Sequence, residues 1–301
     1  MGFVARLILL LAVVAGLAAA AVAWLGAPGE SDPVALPAHT ADPENGKRLF
    51  IAGGCLSCHA PPESSGIDAT LPAGGAPLKS PVGTFYPPNI TPDRETGIGA
   101  WSDAEFIRAM REGISPGRRH YFPAFPYTSY RHMTIADLLD LKAYLFSLEP
   151  ARNPAKRQDN PLARLARAFV GPWKWIAMNT RVVADDPARS EAWNRGAYLV
   201  QGPGHCGECH TPRNIFMAWR ADAFLAGGPH PEGKGKVPSL RGLIARKRFK
   251  DVDDLVLAFQ FGEVLGYEDM SSGGMGKVRG NIGTLPEDDV RAIATFLLSL
   301  E

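Results

Sequence analysis

The longest apolar stretch of the chain lies near its N-terminus, where the run from Leu7 to Gly29 contains no charged side chain. A helix of this length crosses the hydrocarbon core of a bilayer. We predict a signal-anchor transmembrane helix within residues 1–29, with Trp24 at the outer interface. A cleaved signal peptide is the alternative, although the apolar core of such a peptide is only about 7 to 15 residues long.

Farther along the chain, apolar residues recur at the three- and four-residue spacing of amphipathic helices, and no useful length alternates like a β-strand. Two such stripes are Leu138, Leu141, Leu145 and Leu148, and then Val290, Ile293, Ala294, Leu297 and Leu300. We therefore predict an all-α fold with extensive loops. Its predicted parts are the N-terminal helix (1–29), a linker (30–43), a first domain (44–150), an inter-domain linker (151–190) and a second domain (191–301).

Length and composition agree with two domains. The chain has 301 residues, of which 46% are hydrophobic, so two domains of about 100 to 150 residues can each bury a core. With 32 basic and 31 acidic side chains, the formal net charge of +1 gives no electrostatic reason to expect nucleic acid as a partner. The 32 glycines and 26 prolines suggest long loops wrapped around a buried cofactor.

All four cysteines lie in two copies of the motif Cys-x-x-Cys-His, which are Cys55-Leu56-Ser57-Cys58-His59 and Cys206-Gly207-Glu208-Cys209-His210. In this motif the two thiols attach to the two vinyl groups of a haem, and the histidine binds the iron from one side. The sequence therefore predicts two covalently bound c-type haems. A redox-active cysteine pair and a zinc site of four thiolates are alternatives, but both leave the two histidines without a role.

The surroundings of the two motifs also repeat. Gly46–Cys55 reads GKRLFIAGGC and Gly196–Cys206 reads GAYLVQGPGHC, each a short helix followed by a glycine-rich turn. Asp42 and Ser190 are the predicted N-caps of these two helices. We interpret the chain as a tandem duplication of one haem-binding domain.

The second face of the haem iron in an electron carrier is usually closed by a methionine or a histidine. In the first domain the predicted ligand is Met133, which lies in a loop well after His59 and directly before the last helix of the domain. Met110 lies in an amphipathic helix, where core packing is the more common role. His120 and His132 are further alternatives for this position.

In the second domain Met270 and Met275 both lie in a predicted glycine-rich loop well after His210. We choose Met275, because its flanking glycines allow the backbone to approach the haem closely. Met217 follows the histidine too closely to reach the opposite face, and we expect it to pack in the haem pocket. Three polar residues are candidate partners of the haem propionates: Asn89, Arg213 and Asn214.

The inter-domain linker, residues 151–190, carries eight basic and three acidic residues. We expect its apolar residues, which include Leu162, Leu165, Phe169 and the tryptophans Trp173 and Trp175, to pack between the two domains. The alternative is a docking surface for a protein partner or for anionic lipid headgroups.

These motifs resemble those of a known family, the cytochrome c subunits of membrane-bound alcohol, gluconate and fructose dehydrogenases and related two-domain relay cytochromes. The resemblance covers roughly residues 44 to 301 and implies Met133 and Met275 as the axial ligands. Members of that family usually carry a third haem motif, which this sequence lacks. The stretches that carry the resemblance are Asn89–Asp93, Thr96–Gly99, Trp101–Asp103 and Tyr121–Tyr127, then Arg195–Val200 and Gly204–Asn214.

The resemblance implies a membrane-anchored dihaem cytochrome, single-pass in a bacterial inner membrane, with its haem domains in the periplasm. Such a protein relays single electrons from a dehydrogenase or a quinol-oxidising complex to an oxidase or another cytochrome, and is not itself an enzyme. Two alternatives stay open. One is a haem enzyme with one open iron site, of the dihaem peroxidase or thiosulfate-oxidising type, and the other is a permanent haem subunit of a larger oxidase complex.

Overall fold

The computed structural model describes residues 2–29, 34–80, 83–154, 161–178, 184–230, 235–262 and 273–301. The described part of the chain is mainly helical. Most of its buried apolar residues form two clusters, one from the first half of the chain and one from the second half with Ala52 added from the first. The predicted helical fold is confirmed, with two very short two-stranded ribbons in addition.

The N-terminal helix, α1 (Phe3–Leu25), lies where the apolar run predicts it. Its most apolar 18-residue window has a mean hydropathy of 2.6, and none of that window is buried in the protein. The helix is therefore long and apolar enough to cross a membrane. A signal sequence near an N-terminus has the same properties, so the helix is consistent both with a membrane anchor and with an export signal.

The first helical bundle follows α1 and the linker. Its helices are α2 (Pro43–Ala52), α3 (Cys55–His59), α4 (Asp103–Glu112), α5 (Tyr127–Tyr130) and α6 (Ile135–Ser147), and its two strands are β1 (Leu78–Ser80) and β2 (Gly83–Phe85). The predicted N-cap of α2 is confirmed, because the N–H of Glu44 donates to Oδ1 of Asp42 at 2.9 Å. The predicted leucine stripe of α6 is buried against α2 at Leu138, Leu141 and Leu145.

Two helices occupy the segment between the bundles, α7 (Pro161–Ala168) and α8 (Val170–Ala177). The prediction that the apolar residues of this linker are buried between the domains is wrong for three of them. Leu165 is 62% exposed, Trp175 58% and Phe169 39%. The side chain of Leu162 lies outside the described part of the chain. The linker thus presents an apolar surface to its surroundings.

The second bundle repeats the plan of the first. It contains α9 (Glu191–Gln201), α10 (Gly207–His210), α11 (Val252–Phe261), α12 (Gly273–Gly283) and α13 (Glu287–Leu298), with the strands β3 (Gly228–Pro229) and β4 (Lys236–Val237). The predicted cap of α9 is confirmed, since the N–H of Trp193 donates to Oγ of Ser190 at 3.2 Å. The α13 residues of the second predicted stripe are buried: Val290, Ile293, Ala294 and Leu297.

The predicted loop around Met275 is instead part of a helix, α12. Met275, Val278 and Ile282 recur at a helical spacing, and they pack against the core of the second bundle. Burial of this apolar stripe outweighs the low helix propensity of the glycines in the segment, because propensity is only a weak preference beside tertiary packing. Residue Met270 lies outside the described part of the chain.

In each bundle the first and last helices cross at a glycine. A Cβ atom added to Gly46 of α2 would lie 2.0 Å from the carbonyl oxygen of Asp140 in α6. A Cβ atom added to Gly196 of α9 would lie 1.9 Å from the carbonyl oxygen of Ala292 in α13. The two crossings occupy equivalent positions in the sequence repeat, so the duplication extends to the packing of the backbones.

We expect Gly196→Ala to lower the stability of the second bundle. The added methyl group meets backbone atoms that cannot rotate away, and overpacking of this kind costs about 1 to 3 kcal/mol. Thermal unfolding of the haem-loaded protein, followed by circular dichroism, measures the effect. Gly117→Ala is the matched control, because its nearest neighbour is Oγ of Ser115 at 3.9 Å. An unchanged midpoint for Gly196→Ala would contradict the close crossing.

Candidate haem sites

The first Cys-x-x-Cys-His motif forms a single helical turn, α3. Gly54 precedes this turn with a φ angle of 55°, a left-handed conformation that glycine adopts without strain. The N–H of Ser57 donates to the carbonyl of Gly54 at 2.8 Å and so starts the turn. Residues i, i+3 and i+4 of a helix share one face, so Cys55, Cys58 and His59 lie side by side.

The second motif forms the same kind of turn, with α10 at its end. The N–H groups of Cys209 and His210 donate to the carbonyl of Cys206 at 3.3 and 3.0 Å. The residue before the turn, His205, has a left-handed φ angle of 38°, where the first motif has a glycine. The two thiols and the imidazole again share one face of the turn.

Both motif histidines make the same hydrogen bond. The Nδ1–H of His59 donates to the carbonyl of Pro88 at 2.7 Å, and the Nδ1–H of His210 donates to the carbonyl of Pro238 at 2.8 Å. A carbonyl oxygen only accepts, so Nδ1 carries the proton and Nε2 keeps the lone pair that can bind iron. Burial lowers the pKa of both imidazoles, which keeps them in the neutral form that binds a metal.

Neither of these two prolines stands out in the sequence as a functional residue. The separation between His59 and Pro88 is 29 positions, and that between His210 and Pro238 is 28 positions. This nearly equal spacing within the repeat is the sequence feature from which the two prolines could have been predicted. The carbonyls hold the imidazoles in orientation, as the outer partners of metal-binding histidines commonly do.

None of the four thiols, all of which lie in the described part of the chain, forms a disulfide. Burial, with a smaller contribution from the other thiol of the same motif, raises the pKa of Cys55 and that of Cys206 to about 12. Cys58 and Cys209 are exposed. Within the described ranges, no group of three or more histidine, cysteine or acidic side chains has metal-binding geometry, so the alternative of a shared zinc site has no support there.

The predicted axial ligand Met133 lies between α5 and α6 and is only 2% exposed. Met110 is also buried, on α4, where it packs in the core as the helical pattern suggested. The alternative ligand His120 has both ring nitrogens engaged elsewhere. Its Nε2–H donates to the carbonyl of Gly26 at 2.7 Å, and its Nδ1 accepts from Nζ of Lys174 at 3.0 Å. This leaves Met133 as the better-placed candidate.

The other candidates differ in their surroundings. His132 is half-buried, and burial together with the nearby charges of Arg131 and Arg111 lowers its pKa to about 4. Met275 is half-buried on α12 against the second core. Met217, which we expected to pack in the haem pocket, is 56% exposed on the protein surface.

Each candidate methionine has an arginine within four residues of it in the sequence, and one guanidinium nitrogen of each arginine is buried. Nη1 of Arg131, two residues before Met133, and Nε of Arg279, four residues after Met275, are buried atoms for which the described residues offer no hydrogen-bond acceptor. Arg131 also has a second cation, Arg111, close by. Nη1 of Arg279 donates to the carbonyls of Phe259 and Gln260 at 3.4 and 3.2 Å, so part of this guanidinium group is satisfied. The remaining buried nitrogen of each arginine suits an acceptor such as a carboxylate that the cofactor supplies. Haem carries two such groups, its propionates, and the residues present therefore fit it.

The three residues first considered for the propionates are engaged with protein groups. Nδ2 of Asn89 donates to the carbonyl of Ala151 at 2.6 Å. Arg213 forms an ion pair with Glu208 at 2.7 Å. The side-chain oxygen of Asn214 accepts two backbone N–H groups of its own loop, at 2.9 and 3.2 Å. These side chains organise the loops around the motifs.

The two motif turns touch one another across the bundles. Nε2 of His205, just before the second motif, donates to the carbonyl of Gly53, just before the first, at 3.1 Å. Nδ2 of Asn281 on α12 donates to Oγ of Ser57 in the first motif at 3.1 Å. The rings of His205 and Tyr130 pack edge to face, with centroids 5.8 Å apart. The sequence carries no signal for these contacts.

A carboxylate inside the second motif extends the contact. Glu208 accepts hydrogen bonds from Thr128 and from Ser129, both on α5 of the first bundle. The same carboxylate pairs with Arg213 and accepts from Nε1 of Trp219 at 3.3 Å. Each haem motif of this chain therefore makes hydrogen bonds to the other bundle.

Comparison with known proteins agrees with this geometry. The family model described as Cytochrome c matches residues 43–149. A protein named "Diheme cytochrome c-type" from Cereibacter sphaeroides is 42% identical over 282 residues, which are 93% of this chain and 93% of that protein. A nicotinate dehydrogenase subunit from Pseudomonas putida is 44% identical over 261 residues, which are 86% of this chain and 21% of that protein.

The fructose dehydrogenase cytochrome subunit from Gluconobacter japonicus is 32% identical over 274 residues, which are 90% of this chain. The chain spans 55% of the length of that subunit. Two Cys-x-x-Cys-His turns in two helical bundles define a c-type cytochrome with two haems. The chain belongs to the dihaem c-type cytochromes of the cytochrome c family. The predicted family and the predicted cofactor, two haem c groups, are confirmed.

We expect Cys206→Ala combined with Cys209→Ala to leave one covalently bound haem where the unchanged chain has two. Removal of both thiols of one motif removes both thioether bonds of that haem, while the other motif keeps its own. The measurement is intact mass under denaturing conditions together with the haem absorbance of the alkaline pyridine complex. The variant Cys55→Ala with Cys58→Ala is the counterpart, and two retained haems in either variant would contradict the assignment.

Proposed function

We propose that this cytochrome is a membrane-anchored relay, which takes single electrons from a dehydrogenase and passes them to a respiratory acceptor. Bound haem supplies an iron that changes its charge by one electron while its ligands stay in place. The protein holds each iron on a turn fixed by its own backbone. In this proposal the first haem is held by Cys55, Cys58, His59 and Met133, and the second by Cys206, Cys209, His210 and Met275.

The observation that carries the proposal is the contact between the two motif turns. The carbonyl oxygen of Gly53 and Nε2 of His205 are 3.1 Å apart across the bundles. Each of these residues lies within a few positions of the cysteines to which a haem attaches. The residue Met133 reaches the same region, because a Cβ atom on Gly202 would lie 3.5 Å from its Cγ. This arrangement supports direct electron exchange between the haems and gives two sites in series.

The buried guanidinium groups support the orientation of the haems. Arg131 precedes Met133 and Arg279 follows Met275, each within about one helical turn. A haem bound by either methionine would carry a propionate that can accept from the buried nitrogen of the neighbouring arginine. Each site thus has one arginine close in sequence to its candidate methionine, before it in the first bundle and after it in the second.

The names of the relatives support a dehydrogenase as the donor. Proteins named as cytochrome subunits of fructose, alcohol and gluconate dehydrogenases are 32 to 36% identical to this chain over 269 to 274 residues. The acceptor we propose is an oxidase or another cytochrome of the same membrane. Helix α1 supports an inner-membrane location with the haem domains in the periplasm, because the attachment of haem to such motifs takes place outside the cytoplasm.

The function is tested by an optical redox titration of the purified, haem-loaded protein, repeated under carbon monoxide. A relay needs both irons closed by two protein ligands, so we expect two low-spin haems whose spectra carbon monoxide does not change. An enzyme of the peroxidase type needs one open iron. If one haem binds carbon monoxide in the unchanged protein, the relay is contradicted and the enzyme becomes the better description.

We expect Met133→Ala to lower the reduction potential of one haem and to open its iron to carbon monoxide, and Met275→Ala to do the same to the other. A thioether ligand favours the reduced iron, and axial ligands set haem potentials over a range of about 0.8 V. The measurement is the same titration. Met217→Ala is the matched control, since that side chain is exposed and we expect both potentials to stay unchanged. Unaltered potentials in Met275→Ala would contradict Met275 as the second ligand and leave Met270 as the alternative from the same segment.

A further inference from the structure

The end of the N-terminal helix is in backbone contact with α8. A Cβ atom added to Gly26, the residue after α1, would lie 2.1 Å from Cδ of Pro172. A Cβ atom added to Gly171 would lie 1.8 Å from the carbonyl oxygen of Gly26. Glycine at both positions permits this approach. Helix α8 therefore lies at the level where α1 leaves the hydrocarbon core, if α1 spans the membrane.

The chain just after α1 is also fixed to the first bundle. Besides the bond from His120 to Gly26, Arg108 donates to the carbonyl of Gly29 at 2.9 Å, and Arg118 donates to the carbonyl of Pro28 at 3.3 Å. From α8, Nζ of Lys174 donates to the carbonyl of Gly113 at 3.0 Å. These contacts fix the first bundle and α8 in one orientation relative to the end of α1.

The outward side of this region is apolar. At the end of α1, Trp24 is 77% exposed and Leu25 is 61% exposed. On α8, Trp175 and Ile176 are exposed, and Phe169 is exposed directly before it. Large exposed apolar patches on a protein mark a surface that contacts another molecule or a membrane.

The patch continues onto the second bundle. Nε1 of Trp173 on α8 donates to the carbonyl of Phe216 at 2.7 Å, which ties α8 to the loop after the second haem motif. In that loop Ile215 is 90% exposed, and Phe216 and Met217 are each more than half exposed. Loop and helix together form what we call the apolar collar, defined as Trp24, Leu25, Phe169, Trp175, Ile176 and residues 215–217.

Positive charge accompanies the apolar collar. Arg118 and Arg119 are exposed beside the chain just after α1, and Arg118 donates to the carbonyl of Pro28. Two further cations nearby are engaged with the protein, since Arg108 pairs with Glu112 at 3.2 Å and Nζ of Lys174 donates to the carbonyl of Gly113. Exposed tryptophan next to cationic side chains is the composition of protein surfaces that lie among lipid headgroups.

We infer that the apolar collar is a second membrane-contact surface, which rests in the headgroup region of a bilayer that contains anionic lipid. The inference rests on the proposed anchoring of α1. Of the possible occupants, a bilayer fits better than a protein partner, because the collar is continuous with the end of the membrane-spanning helix. Ile215 closely follows His210 in the sequence, so this contact holds the second haem motif close to the membrane surface.

The test is photo-crosslinking of the full-length, haem-loaded protein in nanodiscs of phosphatidylethanolamine and phosphatidylglycerol. The variants Trp175→p-benzoylphenylalanine and Phe216→p-benzoylphenylalanine each carry the reactive group in the collar. Leu9→p-benzoylphenylalanine carries it inside α1. Phe261→p-benzoylphenylalanine is the matched control, because Phe261 is 68% exposed on α11, which packs on α12 and α13. Lipid adducts are counted by mass spectrometry.

We expect lipid adducts at positions 175 and 216 at a yield similar to that at position 9, and several-fold fewer at position 261. Adducts at position 9 without adducts at 175 and 216 would overturn the collar and leave the anchor in place. Absence of adducts at position 9 would overturn the anchor and the collar with it. Crosslinks from 175 or 216 to a protein in native membranes, in place of lipid, would overturn the collar as a lipid contact and assign the surface to a protein partner.

Discussion

The close crossing of two helices at a glycine is the constraint on which each haem site depends. The crossing of α2 over α6 at Gly46 fixes where α2 ends, and the cysteine-bearing turn begins shortly afterwards. The crossing of α9 over α13 at Gly196 does the same for the second turn. A side chain at either position would push the backbones apart and move the turn away from the proline carbonyl that orients its histidine.

The duplicated plan nevertheless gives two different haem environments. His59 is half-buried, whereas His210 is 8% exposed. The two residues between the cysteines of the second motif include Glu208, an acid that pairs with Arg213, and the first motif has Leu56 and a serine there. Because nearby charge and solvent exposure set the potential of a haem, we expect these differences to give the two haems different potentials even with the same kind of ligands.

Much of the site could be predicted from local sequence, and what could not be predicted depends on distant contacts. The motifs, the caps at Asp42 and Ser190 and the α13 stripe are local patterns, and the structure bears them out. The helix around Met275 was not predicted because its glycines have a low helix propensity. The tertiary packing that stabilises it cannot be inferred from the local sequence. The carbonyls of Pro88 and Pro238, which orient the histidines, lie 29 and 28 positions after them. A proline has no sequence feature that indicates this role.

Several contacts between the bundles lie where the haems attach, and this has a physical consequence. Hydrogen bonds from Thr128 and Ser129 satisfy Glu208, so separation of the bundles would leave that carboxylate with fewer partners. Buried polar groups of this kind specify one relative orientation more sharply than apolar contact does, because their geometry is directional. These contacts thus fix the relative orientation of the two motif turns, and a small rotation there would change the distance that an electron must cross between haems attached to them.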